Sequence, residues 1–327
     1  MPSDFIGRLP KTETHLHIEG ALPLELLRRV APDRFSGGEP PWWSPGYRWP
    51  DFGTFEAALL ANAALWYTSP ARYHEAARII FDGLVAQNVR YVEISFHLPI
   101  GQIIGADPRD ILDAIHSAAP AGLTVRVFAG MRRIDYTPNL APVIDSLHTW
   151  DLLAGIDLHG QERWPLEPWS APVWRRMAEA GKVTKAHAGE LAGAGSVRTV
   201  IEQLGVGRVQ HGIRAIEDPA VVELLLSHDV TCDTCPISNV MLGVVPSMEA
   251  HPLPRLLEAG VRCTVSTDDP FCFGNTLTDE YAALETEMQL SREQVARVAR
   301  NGFEVALMDD ASRAACLAEI DTLASED

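Results

Sequence analysis

His15 and His17 alternate with carboxylates in Glu13-Thr14-His15-Leu16-His17-Ile18-Glu19-Gly20. Side chains of an extended strand alternate between faces, so Glu13, His15, His17 and Glu19 are expected on one face, with Thr14, Leu16 and Ile18 on the other. Two imidazoles at that spacing converge on a point, which suits a metal ion; an edge strand with a wet polar face is the plainer alternative. Three further stretches bear on the choice: His187-Ala188-Gly189-Glu190, Gln210-His211-Gly212 and Ser266-Thr267-Asp268-Asp269-Pro270. Singly, each histidine reads as a hydrogen-bonded core residue, and Asp-Asp-Pro reads as a capped turn. Jointly they offer three histidines and an aspartate to one cation, a donor set that suits zinc and is compatible with iron or manganese.

Residues so far apart need a scaffold that gathers them. Strand candidates begin at Thr14, Val89, Leu123, Leu153, Val183, Arg208, Val230 and Val261. Amphipathic segments lie between them, several opening with Ser-Pro or Asp-Pro, a helix cap followed by a first turn. Eight strands alternating with helices predict a (β/α)₈ TIM barrel, and the first strand lacks the glycine fingerprint of a dinucleotide-binding sheet. The chemistry-bearing stretches fall at the C-terminal ends of strand candidates, where barrels of this kind keep their active sites. The segment from Phe35 to Phe55, rich in Pro, Gly and aromatics, is an insertion after the first strand, expected over the barrel mouth. Extra C-terminal helices follow the last strand, and one domain over residues 1–327 is expected.

The composition excludes several classes. A net charge of −17 leaves no basic patch for nucleic acid or an anionic membrane, and no apolar run reaches spanning length. The first residues lack the apolar core of a signal peptide, and five scattered cysteines suit reduced thiols, so a cytoplasmic protein is expected. The partner is then a small molecule, with a homo-oligomer left open.

The stretches PKTETHLHIEGAL (from Pro10), HAGE (187–190), RVQHG (208–212), CPISN (235–239) and STDDP (266–270) resemble, in order, the signatures of the adenosine deaminase family, metal-dependent amidohydrolase barrels. The resemblance implies one zinc per chain, held by His15, His17, His187 and Asp268, and hydrolytic removal of the 6-amino group of a purine. It implies that the metal acidifies a water, with His211 beside it as general base or orienting cation and Glu190 as proton donor to N1. Asp269 is implied at N7 and the Gly160 N–H at N3, with His17 and Glu19 bordering the substrate and Ser238 and Asn239 buttressing the metal. Adenosine or 2′-deoxyadenosine is the expected substrate, giving inosine or 2′-deoxyinosine and ammonia.

Glu19 departs from the family's usual aspartate at this place, a change found in relatives acting on adenine or modified 6-aminopurines. Free adenine, an N6-substituted adenine and 6-aminodeoxyfutalosine therefore stand as alternatives. His97, ending SFHLP, faces either the substrate or solvent. Two readings of other kinds compete: a non-catalytic purine-binding relative, and a hydrolase of amides or phosphotriesters. The complete set of candidate ligands and proton carriers disfavours the first. The second commonly uses two metals bridged through Lys or Glu of the fourth strand, and LAGIDLHG ends in neither. Cys232 and Cys235 form a CxxC without further zinc ligands nearby and read as packed thiols.

Overall fold

The computed structural model describes residues 2–326. Eight strands follow one another around a parallel sheet: β1 (Lys11–His17), β2 (Val89–His97), β3 (Thr124–Arg132), β4 (Leu153–His159), β5 (Val183–Ala188), β6 (Arg208–His211), β7 (Thr231–Thr234) and β8 (Arg262–Val265). Helices cross over between them, and the sheet curls into the (β/α)₈ barrel that the alternation predicts. Of the expected openings, Asp107 and Asp218 each accept a backbone N–H of the helix they precede, whereas Ser69 ahead of Pro70 makes no such bond. No helix among the described residues is long and apolar enough to cross a membrane.

The seam between first and last strands lies beyond β8. The Asp268 N–H donates to the His15 carbonyl at 3.0 Å, the His17 N–H donates to the Asp268 carbonyl at 3.0 Å, and the Thr14 N–H donates to Ser266 Oγ at 3.0 Å. Barrel closure thus sets the residues after β8 directly against the two histidines of β1.

β1 differs from its sequence reading in two ways. It begins at Lys11 rather than Thr14, because Lys11 is buried and its Nζ donates to the carbonyls of Ile6 (2.6 Å), Leu9 (3.0 Å) and Gln87 (3.1 Å). A lysine that looks like a solvated flank ties down the barrel floor. The strict alternation also fails, since the pairing of β1 with β2 shifts register between Glu13 and Leu16. Glu13 consequently leaves the histidines' face: its carboxylate accepts the Thr267 N–H (3.2 Å) and hydroxyl (2.8 Å) behind the seam.

Beneath the barrel mouth the interior holds charge rather than a wholly apolar core. Arg208 donates to Asp233 (2.8 Å) and Glu93 (3.2 Å), Lys185 pairs with Glu93, and Thr14 Oγ1 donates to Asp233 (3.1 Å). Every one of these side chains is buried, and the acids and bases satisfy one another.

The insertion after β1 does two jobs. The indole N–H groups of Trp42, Trp43 and Trp49 donate to the carbonyls of Phe271 (2.8 and 2.7 Å) and Cys272 (3.2 Å), pinning the segment that follows Asp269. The helix Phe52–Trp66 lays Phe52, Phe55, Leu59 and Leu60 along the wall of the mouth. Covering the mouth therefore falls to Phe52 and Phe55, while Trp43 and Trp49 act as struts. At the other end of the chain, helices Leu277–Thr286, Arg292–Glu304 and Asp310–Ala324 complete the fold.

Candidate active site

His15 and His17 come from the end of β1, His187 from the end of β5, and Asp268 from the seam. His15 Nε2 lies 3.3 Å from His17 Nε2 and 3.1 Å from His187 Nε2. Asp268 Oδ1 lies 3.3 and 3.4 Å from Nε2 of His15 and His17. A tetrahedron with metal–ligand bonds of ~2.0–2.1 Å has edges of about 3.3–3.4 Å, so the donors already stand at ligand spacing.

Their outer atoms are tied down. His15 Nδ1 meets the Asp233 carbonyl at 3.2 Å, and His187 Nδ1 meets Asp157 Oδ1 at 3.3 Å. Both oxygens only accept, since the neighbouring imidazoles, that of His187 foremost, outweigh burial and keep Asp157 ionised. The proton of each ring therefore sits on Nδ1, leaving a bare Nε2 lone pair turned inward. Ser95 Oγ sits 2.9 Å from His17 Nδ1, and the Ser238 hydroxyl donates to Asp268 Oδ2 at 2.7 Å. The residues present fit a divalent cation.

Strained backbone marks the same place. His211 and Asp268 adopt φ of +64° and +66°, a left-handed conformation that non-glycine residues hold only when their surroundings impose it. The His211 ring stands over the donor set, with Nε2 3.5 Å from Glu190 Oε2 and 3.9 Å from Asp268 Oδ2. Glu190 is buried, and burial, reinforced by the charges of Asp268 and Glu162, pushes its carboxyl well above the ordinary range. Its loop is held from below by Glu162, whose carboxylate accepts the N–H groups of Glu190 (3.1 Å), Leu191 (2.6 Å) and Ala192 (2.9 Å). Sequence reading missed Glu162; its only signal is its place in LHGQE, beside the glycine singled out.

A cavity of about 760 Å³, counting its open mouth, is lined by His17, His187, Asp268, Glu190 and His211, and also by Glu19, Gly160 and Asp269. His15 lies just beneath, behind the other ligands. The residues assigned from sequence to the metal, the proton transfers and the substrate are thus gathered at one end of the barrel, and Glu13 is not among them. Gly160, at φ +78°, turns there as β4 leaves the sheet. Gly20 lets Asp269 in: a Cβ on it would lie 1.7 Å from Asp269 Oδ1. That Oδ1 is buried without a partner, and burial, then the charge of Asp268, raises the Asp269 carboxyl well above its usual range.

Glu19 leaves β1 yet reaches the same cavity. Its Oε1 accepts the Tyr73 hydroxyl at 2.8 Å and the His97 N–H at 3.1 Å. Burial lifts its carboxyl to about 7 against these hydrogen bonds. His97 lines the cavity rather than a solvated loop, and its Nδ1 lies 2.9 Å from Nε2 of His159. His159 was not anticipated; it adjoins Gly160, and its ring occupies the space left by Gly130, where a Cβ would stand 2.8 Å from it. Cys235, read as a packed thiol, is buried with its Sγ 3.3 Å from His15 Nδ1, and Cys232 is buried too.

A donor set spaced for a cation, buried carboxyl groups raised above their ordinary range and a ring-sized cleft suit hydrolysis at an electrophilic carbon of a planar heterocycle. The family model for adenosine deaminase matches residues 10–323. An adenine deaminase of Cupriavidus necator is 33% identical over 98% of this chain and 93% of its own. One of Streptomyces coelicolor is 32% identical over 98% and 97%. The crystal structure of an adenine deaminase from Arthrobacter aurescens superposes with a TM-score of 0.85 at 28% identity, covering 97% of this chain and 100% of the other. The chain belongs to the adenosine deaminase family, and the reaction it performs is a hydrolytic deamination.

Proposed function

We propose that the protein is a zinc-dependent adenine deaminase, converting free adenine to hypoxanthine and ammonia within one barrel domain that spans the chain. The substrate is thus the free base rather than the nucleoside first expected. The observation that carries this reading is Glu19. Its side chain is buried in the cavity wall and anchored through Oε1 by Tyr73 and His97, which leaves Oε2 for a donor from the ligand. Free adenine has such a donor, N9–H, on the five-membered ring; a nucleoside has the sugar there. The relatives named adenine deaminase support the same choice.

The remaining groups match the other edges of adenine. N1 and N7 are acceptors and need donors. Glu190 and Asp269 are carboxyl groups that burial keeps protonated, so each presents an O–H. The Gly160 N–H is assigned to N3. His15, His17, His187 and Asp268 would hold a zinc ion, which when bound would supply an acidified water. Glu190 gives its proton to N1, which makes C6 electrophilic. His211 and Asp268 hold the attacking water over C6; one of its protons passes by way of Asp268 to the amino group, which departs as ammonia, and the other returns to Glu190 as the C6 oxygen becomes a carbonyl. Phe52, Phe55 and Leu59 pack the open side and keep bulk water away.

The test is a substrate panel with purified protein: adenine, adenosine, 2′-deoxyadenosine, N6-methyladenine and 6-aminodeoxyfutalosine, followed by ammonia release. Adenine should exceed each of the others in kcat/KM by at least ~100-fold, the discrimination of roughly 3 kcal/mol expected from an unpaired buried acceptor and a clash with the sugar. A nucleoside turned over better than adenine would overturn the reading.

A further inference from the structure

One buried imidazole, His251, takes no part in these steps, yet it ends a chain of hydrogen bonds that leads into them. It precedes the helix Leu253–Glu258 and is 3% exposed. The Leu253 N–H donates to His251 Nδ1 at 3.1 Å, and His251 Nε2 lies 3.2 Å from Asn239 Oδ1. Asn239 Nδ2 lies 3.1 Å from His211 Nδ1 and 3.4 Å from Glu190 Oε1. The far nitrogen of His211 then points at Glu190 and Asp268.

Imidazoles and amides can each be reversed in such a chain, since a neutral imidazole has one donor and one acceptor and an amide has both. A backbone N–H cannot be reversed. Because Leu253 only donates, His251 Nδ1 must accept, and its proton must lie on Nε2. That proton needs an acceptor, which fixes the oxygen of Asn239 toward His251 and its NH₂ toward His211. His211 Nδ1 must then accept, so the single proton of the neutral ring lies on Nε2, facing the reaction. Polarity passes through the relay from a group that can neither rotate nor titrate.

We propose that His251 is a positioning residue which, through Asn239, sets the tautomer of His211, so that His211 enters the reaction as an Nε2–H donor. This rests on the deaminase reading of the site, and it replaces the two roles first expected of His211, base or cation, with that of a neutral donor that orients. A ring that already carries its proton on Nε2 holds an oxygen lone pair in place over C6; it does not remove a proton from that oxygen. His251 touches neither substrate nor metal ligand and acts only through the amide between.

Two substitutions separate this from a role in packing. An asparagine side chain places an acceptor where Nδ1 stood but has nothing at the position of Nε2, so His251→Asn keeps the bond from Leu253 and loses the one to Asn239. A glutamine amide reaches the Nε2 position, so His251→Gln restores a donor to Asn239. With zinc content and Tm compared alongside, kcat should fall ~10–100-fold in His251→Asn with KM within threefold, the equivalent of one buried hydrogen bond. His251→Gln should recover most of the loss. Nitrogen-15 NMR of histidine-labelled wild-type protein reads the tautomer directly, with the His211 signals identified by their loss in His211→Gln, and should show Nε2–H. An Nδ1–H tautomer in wild type, equal kcat in the two variants, or a fall in kcat that tracks lost zinc would each overturn the proposal. Absence of turnover on every 6-aminopurine would instead overturn the deaminase reading, and the NMR result would still decide the relay.

Discussion

Replacing Glu19 with aspartate probes substrate choice most directly. The change draws the carboxylate back by one methylene, about 1.5 Å. Its present bonds to Tyr73 and His97 are 2.8 and 3.1 Å long, so both cannot survive the retreat. Adenine should lose the bond from N9–H as well. A hydrogen bond to a charged acceptor is worth about 1.5–3 kcal/mol, and at ~1.4 kcal/mol per decade that is roughly a 10–150-fold fall in kcat/KM for adenine. Adenosine has no N9–H to lose and gains the vacated space, so its kcat/KM should hold or rise. The ratio of adenine to adenosine activity should therefore drop at least tenfold. Ammonia release from each substrate, measured at equal zinc content, gives that ratio. A ratio unchanged within twofold would refute the reasoning, because a carboxylate that contacts the five-membered ring cannot be shortened without effect on what is attached there.

Other expectations follow from the same geometry. Glu190→Gln removes the proton offered to N1 and should lower kcat by ~10²–10⁴-fold while zinc stays bound, as elemental analysis of the active fraction would show. His187→Ala removes one of the inward lone pairs, and purified protein should carry much less than one equivalent of zinc; full occupancy would break the ligand assignment. Acid should loosen the fold through His251. Burial lowers its pKa to about 3 from an ordinary 6.5, so the unfolded chain binds the proton first as pH falls. The stability it contributes is complete above pH 6.5 and lost between there and about 3, on the order of 2–3 kcal/mol by pH 4.5. Urea titrations at pH 7 and 4.5 should show a smaller acid loss in His251→Gln than in wild type; equal losses would assign the effect elsewhere.

Much of this architecture was legible because it is written in patterns. The eight strands announced themselves as apolar runs between capped helices, and the chemistry-bearing stretches stood at their ends. Less visible were features that depend on a single side chain meeting another across the barrel. The alternation in ETHLHIEG assigned Glu13 to the histidines' face, and a register shift that no local pattern signals took it behind the seam. Nothing in the sequence around Lys11 signals burial; only three carbonyls, from Ile6, Leu9 and Gln87, make it tolerable. His159 and Glu162 flank a glycine that was singled out, but nothing in their spacing reveals a partner. His251 lies in a loop of no recognisable period, and its meaning comes wholly from Asn239, reached through space.

The seam has one more consequence. His15 and His17 stand near the start of the barrel and Asp268 near its end, about 250 residues later, and the closing backbone bonds join these same residues. A cation gripped by both ends would be a cross-link over most of the chain, and a constraint over so long a loop would remove much of the freedom of the unfolded state. Here the clasp that shuts the ring and the centre that performs the chemistry are one object. If the proposed ion binds there, removing it should loosen this seam, so that competence to react and resistance to unravelling fall together.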